Sequence, residues 1–184
     1  EFEHLYMNQR YGGDLAIEKI TDYINKVLQT LFGGEKAKDI VENPNRKLHV
    51  VAVRNRKWFN GRSKLAQGIG LLSAASANLI SSSIVEKLYR RVIISQKGSY
   101  EPYTFKPEVI HLTPQNLSQS LVASGAIPMV MEPTKIDGGK DRWHWDGGMV
   151  DYHFPGPFNA EDGLVLYPHF FPKITPGWLD KGIP

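Results

Sequence analysis

Apolar residues recur at spacings of three and four between Asp14 and Phe32: Ile17, Ile20, Ile24, Val27, Leu28 and Leu31. That period places them on one helix face, with Glu18, Asp22, Asn25 and Gln29 elsewhere on the wheel. Asp14 can cap the start, and Gly33-Gly34 can end the helix with a left-handed residue. A second short helix is expected from Glu35 to Glu42, because Pro44 forbids its continuation. After the turn signal Asn43-Pro44-Asn45 comes Leu48-His49-Val50-Val51-Ala52-Val53, short and rich in β-branched residues. Such a run predicts a buried strand, here read as part of a parallel sheet.

From Arg62 to Arg90 the pattern turns helical again, with Leu65, Ile69, Leu72, Ser76 and Leu79 in one stripe and many small residues between. A buried helix, continuous or broken, is expected there. Arg91 to Ser95 reads as a strand. Glu101 to Leu112 reads as extended, limited by Pro102 and Pro107 to an edge or a loop. Thr113-Pro114 is a helix start, a capping threonine followed by proline in the first turn. This helix is expected to reach Ser124, burying Leu117, Leu121 and Val122, and to end at Ala126-Ile127-Pro128. Met129 to Ile136 is predicted as a strand, Asp137-Gly138-Gly139 as a tight turn, and Arg142 to Trp145 as the return strand of a hairpin. Leu164-Val165-Leu166 reads as a late strand, followed by a proline- and aromatic-rich tail. Helices alternating with buried strands indicate an α/β layered fold.

Composition narrows the classes without choosing among them. The 184 residues are 41% hydrophobic and 22% charged, ordinary for a globular domain. Net charge is +3, and the densest basic run, Arg54 to Arg62, is interrupted by Trp58, Phe59 and Gly61. That is too little for nucleic-acid binding to be expected. The absence of cysteine removes disulfides, Cys-ligated zinc and thiol catalysis. No apolar stretch approaches the ~20 residues that span a bilayer. No basic region followed by an apolar run opens the chain, so no signal peptide is expected in it. The start, Glu1-Phe2-Glu3-His4, reads as a cut boundary. A cytoplasmic location, or one peripheral to a membrane, is expected.

Several segments together carry a family resemblance. Leu121-Val122-Ala123-Ser124-Gly125-Ala126-Ile127-Pro128 resembles the "ASxAIP" block of patatin-like phospholipases. Glu132-Pro133, Ile136-Asp137-Gly138, Asp146-Gly147-Gly148 and Asp151 then follow in that family's order. Leu48 to Val53 also resembles a strand of the family. The ordered combination is specific, whereas each piece alone is weak.

The resemblance implies a patatin-like layered fold of which 1–184 is the C-terminal portion, with a parallel or mixed sheet flanked by helices. It implies hydrolysis of lipid acyl esters by a Ser-Asp dyad without a cofactor, with Asp146 as general base and Gly147 and Gly148 supporting it. A lipid or acyl-ester substrate and peripheral membrane contact follow as expected partners. The family serine sits in a G-x-S-x-G elbow, and no such sequence occurs in this chain. The missing serine and glycine-rich oxyanion loop are expected before Glu1, which would leave the chain silent by itself. It would self-associate or pair with the missing N-terminal half, because an incomplete sheet leaves an edge uncovered.

The residues around Asp146 suit that role. A carboxylate can deprotonate serine directly when partial desolvation raises its proton affinity. Trp143 and Trp145 flank Asp146 and can exclude water. Two following glycines allow a sharp bend and close approach of another segment. Asp-Gly-Gly is also an ordinary turn sequence. Asp137-Gly138-Gly139, followed by Lys140-Asp141-Arg142, is the turn copy; Asp146-Gly147-Gly148 leads into apolar Met149-Val150. Asp151 is read as a structural hydrogen-bonder. It precedes Tyr152 where the family has asparagine, which puts details of that loop in doubt. Ser124 is read as structural.

Two rivals stay open. His144, Asp146, Asp151, His153 and His169 could form a metal site, since His144 and Asp146, two apart on a strand, share a face. A non-catalytic interaction module is the other. The aromatic tail (Phe154, Phe158, Tyr167, Phe170, Phe171 and Trp178) is read as loops packed on the core, ahead of an acyl-chain pocket.

Overall fold

The computed structural model describes residues 17–55, 89–98, 107–128 and 130–151. Helix α1 (Ile17–Phe32) follows the periodic stripe and buries Val27 and Thr21. The Thr21 hydroxyl donates to the Ile17 carbonyl at 2.8 Å and accepts from the Glu132 amide at 2.9 Å. Gly34, at φ 63°, supplies the left-handed residue that ends α1 and leads into α2 (Glu35–Val41). The Asn43 side chain then accepts from the amides of Asn45 and Arg46, at 3.0 and 2.9 Å, closing the expected turn. These two helices and the turn match the sequence pattern because each is encoded locally.

Four strands form a sheet in the order β3-β2-β1-β4, with β1 His49–Asn55, β2 Tyr89–Ser95, β3 Glu108–His111 and β4 His144–Asp146. β1 is antiparallel to both β2 and β4, and only β2 and β3 run parallel. The parallel setting expected for Leu48 to Val53 is therefore corrected: the sheet is mixed. The apolar run reported burial on both faces, with Val50, Ala52 and Val53 all buried. A central antiparallel strand requires that as much as a parallel one does. The fold is α/β.

Register partners share a face of a pleated sheet. Val50 lies opposite Ile94, Ala52 opposite Val92, and Ile94 opposite Ile110. These residues form one core with Ala37 and Val41 of α2, with Leu117 and Ala123 of α3 (Leu117–Ser124), and with Leu112 and Ile136. α1 packs against α3.

Three further expectations change. Tyr89 and Arg90, expected to end a helix, begin β2; the rest of that expected helix, the expected late strand and the aromatic tail lie outside the described residues. The helix expected from Thr113-Pro114 starts at Leu117, and Pro114 to Asn116 form a turn in which the Thr113 hydroxyl accepts from the Asn116 amide at 3.2 Å. The threonine closes this turn, and the helix itself starts after Asn116 with no side-chain cap. The strand expected from Met129 to Ile136 is reduced to a bridge between Thr134 and His144. The amides of Val130 and Met131 instead turn back to the Ile127 carbonyl, at 3.1 and 2.9 Å. β4 pairs along its length with β1, and the one antiparallel bridge to Thr134 is what remains of the expected hairpin.

Asn116 joins the ends of these elements. It is 1% exposed. Its amide nitrogen donates to the carbonyls of His111 and Asp137, each at 2.9 Å, and its oxygen accepts from the Thr113 amide at 2.8 Å. Asn116→Ala strands three backbone groups. It should lower unfolding free energy by about 2–4 kcal/mol, read as a lower urea midpoint at unchanged slope.

Candidate functional site

Asp146 is the last residue of β4, opposite Ala52 on β1, on the face that carries the helix-packed core. Its amide donates to the Ala126 carbonyl at 3.2 Å. The end of α3 and the Asp-Gly-Gly segment, separate in the chain, therefore meet here. Beyond Asp146 the backbone enters a single 3₁₀ turn, Gly147–Met149. The Gly148 amide donates to Oδ1 of Asp146 at 2.7 Å. Among the described residues it is the one donor to this carboxylate.

Burial raises the Asp146 pKa above the ordinary aspartate value, and the Gly148 hydrogen bond offsets part of that rise. Trp145, 3% exposed, lies on the opposite face of β4 and opposite Val53. It anchors the strand instead of walling the carboxylate. Trp143 is half-buried, with the Lys135 ammonium 5.1 Å from its ring centroid.

Gly147 is required by space. A Cβ there would lie 2.4 Å from the Val51 carbonyl oxygen and 2.7 Å from its carbon. Both contacts are with central-strand backbone, which cannot swing aside. The other Asp-Gly-Gly copy differs in kind. Gly138 has φ 82°, and Asp137 is exposed. Asp137 is nevertheless tied to α3: its amide donates to Gln119 Oε1, and its carboxylate accepts from Gln119 Nε2, each at 2.9 Å. It is a turn docked on a helix, with the expected hairpin reduced to the Thr134–His144 bridge.

Asp151 is held by Arg91 of β2 through two hydrogen bonds, Nε to Oδ2 and Nη2 to Oδ1, the latter at 2.7 Å. That is the structural bonding role expected of it. Ser124 ends α3, half-buried.

His144 shares the Asp146 face and is fully buried, opposite Arg54. Its Nδ1 lies 3.3 Å from the Thr134 carbonyl, a geometry suited to the tautomer that donates from Nδ1. Nε2 is buried without a partner among the described residues. Burial lowers the His144 pKa; the Thr134 carbonyl and Glu108 raise it in part, and Arg54 adds to the lowering. Among the described residues, no group of three or more His, Asp and Glu is placed to hold a metal ion. His153 and His169 lie outside the described residues.

Sequence reasoning did not find the ion pair of Arg54 with Glu108, at 2.6 Å, each side chain 13% exposed. The signal was present: Arg54 keeps the period of Val50 and Ala52, which puts a cation on the core face, where it needs a partner. Nor did it identify the partner of Asp151, because Arg91 stands sixty residues away.

No protein-family model, curated protein or solved structure matches the chain. Among the described residues, no helix is long and apolar enough to cross a membrane.

Gly147→Ala should lower unfolding free energy by about 1–3 kcal/mol, read by urea denaturation, with weakened exchange protection in β4. Asp146 makes an opposite prediction. Its raised folded-state pKa means that it binds a proton more tightly folded than unfolded. The resulting stability is fully present below the ordinary aspartate range and is lost as pH rises through the raised value. Asp146→Asn keeps the acceptor for Gly148 and has no charge to desolvate. Its urea midpoint should exceed that of wild type near neutral pH, with the two converging in acid.

Proposed function

We propose that the chain is the C-terminal portion of a patatin-like domain and that Asp146 is the general base of a serine acyl hydrolase acting on lipid acyl esters. The observation that carries this reading is the setting of Asp146: a carboxylate on the core face of a strand end, raised in pKa by burial, with one oxygen on the Gly148 amide and the other without a hydrogen-bond donor among the described residues. A raised pKa is the direction a base needs at working pH. The meeting of Ala126 with Asp146 supports the reading, since it brings together the two segments that carry the resemblance.

In this role Oδ2 accepts the serine hydroxyl proton as the serine oxygen attacks the ester carbonyl. The proton passes to the departing alcohol, leaving an acyl-serine. Water then attacks the acyl group, giving its proton to Asp146, and the carboxylic acid product leaves as serine recovers a proton. No G-x-S-x-G occurs in these residues, so the chain supplies the base and not the nucleophile.

The test is ester hydrolysis and fluorophosphonate labelling, in this chain and in the native polypeptide that contains it. The chain alone should hydrolyse nothing and take no adduct. The native polypeptide should be labelled on a serine outside these residues, and Asp146→Asn should slow it by about 10²–10⁴-fold. An adduct on a serine within the chain, or turnover that survives Asp146→Asn, overturns the reading.

A further inference from the structure

The turn carrying Asp146 is held at its entry by β-pairing with Ala52 and by the Ala126 carbonyl. At its exit stand two glycines, which have no side chains to pack. The turn is closed by the Val150 and Asp151 amides, which donate to the Gly147 carbonyl at 3.1 and 2.9 Å. Immediately beyond, Asp151 meets Arg91. Arg91 lies opposite Val53 on β1, and Val53 lies opposite Trp145 on β4. The pair therefore reaches from β2, past β1, to the segment that leaves β4. Both side chains are 11% exposed.

A two-pronged guanidinium–carboxylate contact fixes orientation as well as distance, which a lysine ammonium cannot do. Placing two charges this far from water costs free energy that a mere chain reversal does not require. We infer that the Arg91–Asp151 ion pair is a positioning device for Asp146, fixing the exit of the glycine turn so that the carboxylate stays on the Gly148 amide and away from water. The inference rests on Asp146 being the base. Arg91 is a positioning residue: it lies on the opposite face of the sheet and acts on Asp146 through the turn.

Opening the turn would have two effects on Asp146. Loss of the Gly148 hydrogen bond would raise its pKa, and entry of water would lower it. Burial is the larger of the present influences, so the net change is downward.

The experiment is a ¹³C NMR titration of the Asp146 carboxyl in the 184-residue chain. Wild type is compared with Arg91→Lys, Asp151→Asn and the conservative Asp151→Glu, each checked for folding by circular dichroism. In Arg91→Lys and Asp151→Asn the titration should fall toward the ordinary aspartate range, and Asp151→Glu should stay nearer wild type. If one single variant does not fold, the other decides. An Asp146 titration unchanged in a folded variant whose melting temperature has dropped overturns the inference, since the pair then serves stability alone. The hydrolysis test can fail separately: if the titration moves in this chain while turnover of the native polypeptide survives Asp146→Asn, the proposed function falls and the clamp stands.

Discussion

The candidate site depends on a very short pairing, three residues of β4 against the central strand β1. Three residues of antiparallel ladder cannot hold a strand without help. The help comes from Trp145, buried against the far face of the sheet, and from Gly147, which lets the chain lie directly on the Val51 backbone. Any side chain at Gly147 would push β4 away from β1, and Asp146, one residue earlier, would move with it. The position of the carboxylate is thus set by a contact that only an absent side chain permits.

That position is also electrostatically costly. Asp146 and His144 both face the side of the sheet where Ala52, Val92 and Ile94 build the core. Each is shifted in the direction that disfavours its charge: aspartate upward, histidine downward. On the same face Arg54 and Glu108 solve the problem differently, by neutralising each other across β2. A buried charge left without a partner costs more free energy than one that is paired. Among the described residues Asp146 has only a backbone amide, and that contrast separates it from the structural ion pairs around it. Burial raises its pKa, the direction opposite to that of an ion-paired carboxylate.

The elements legible in the sequence were those whose cause is local. The stripe from Ile17 to Leu31, the left-handed Gly34 and the Asn43 turn each depend on residues within a few positions of one another. Asp146 and Gly147 were legible because aromatic, acidic and glycine residues fall in order at a strand end. Where the sequence misled, a distant partner had changed the outcome. Met129 to Ile136 has strand character, yet the edge of β4 it would have paired with along its length meets it only at Thr134. Tyr89 and Arg90 continue a helical pattern, yet β1 recruits them into β2 through Asn55 and Arg54.

The amino-acid sequence by itself determined the two helices between Ile17 and Val41, where glycine must permit a turn, and that Asp146 and not Asp137 leads into apolar chain. Tertiary structure decided that β1 runs antiparallel to both neighbours, that Ala126 meets Asp146, and that Arg91 and Asp151 bind each other. The physical reason is range. Helical period and turn geometry act over a few residues, whereas strand direction and charge pairing depend on which distant segments the core brings together. The sequence names the groups that need partners, and only the folded chain selects them.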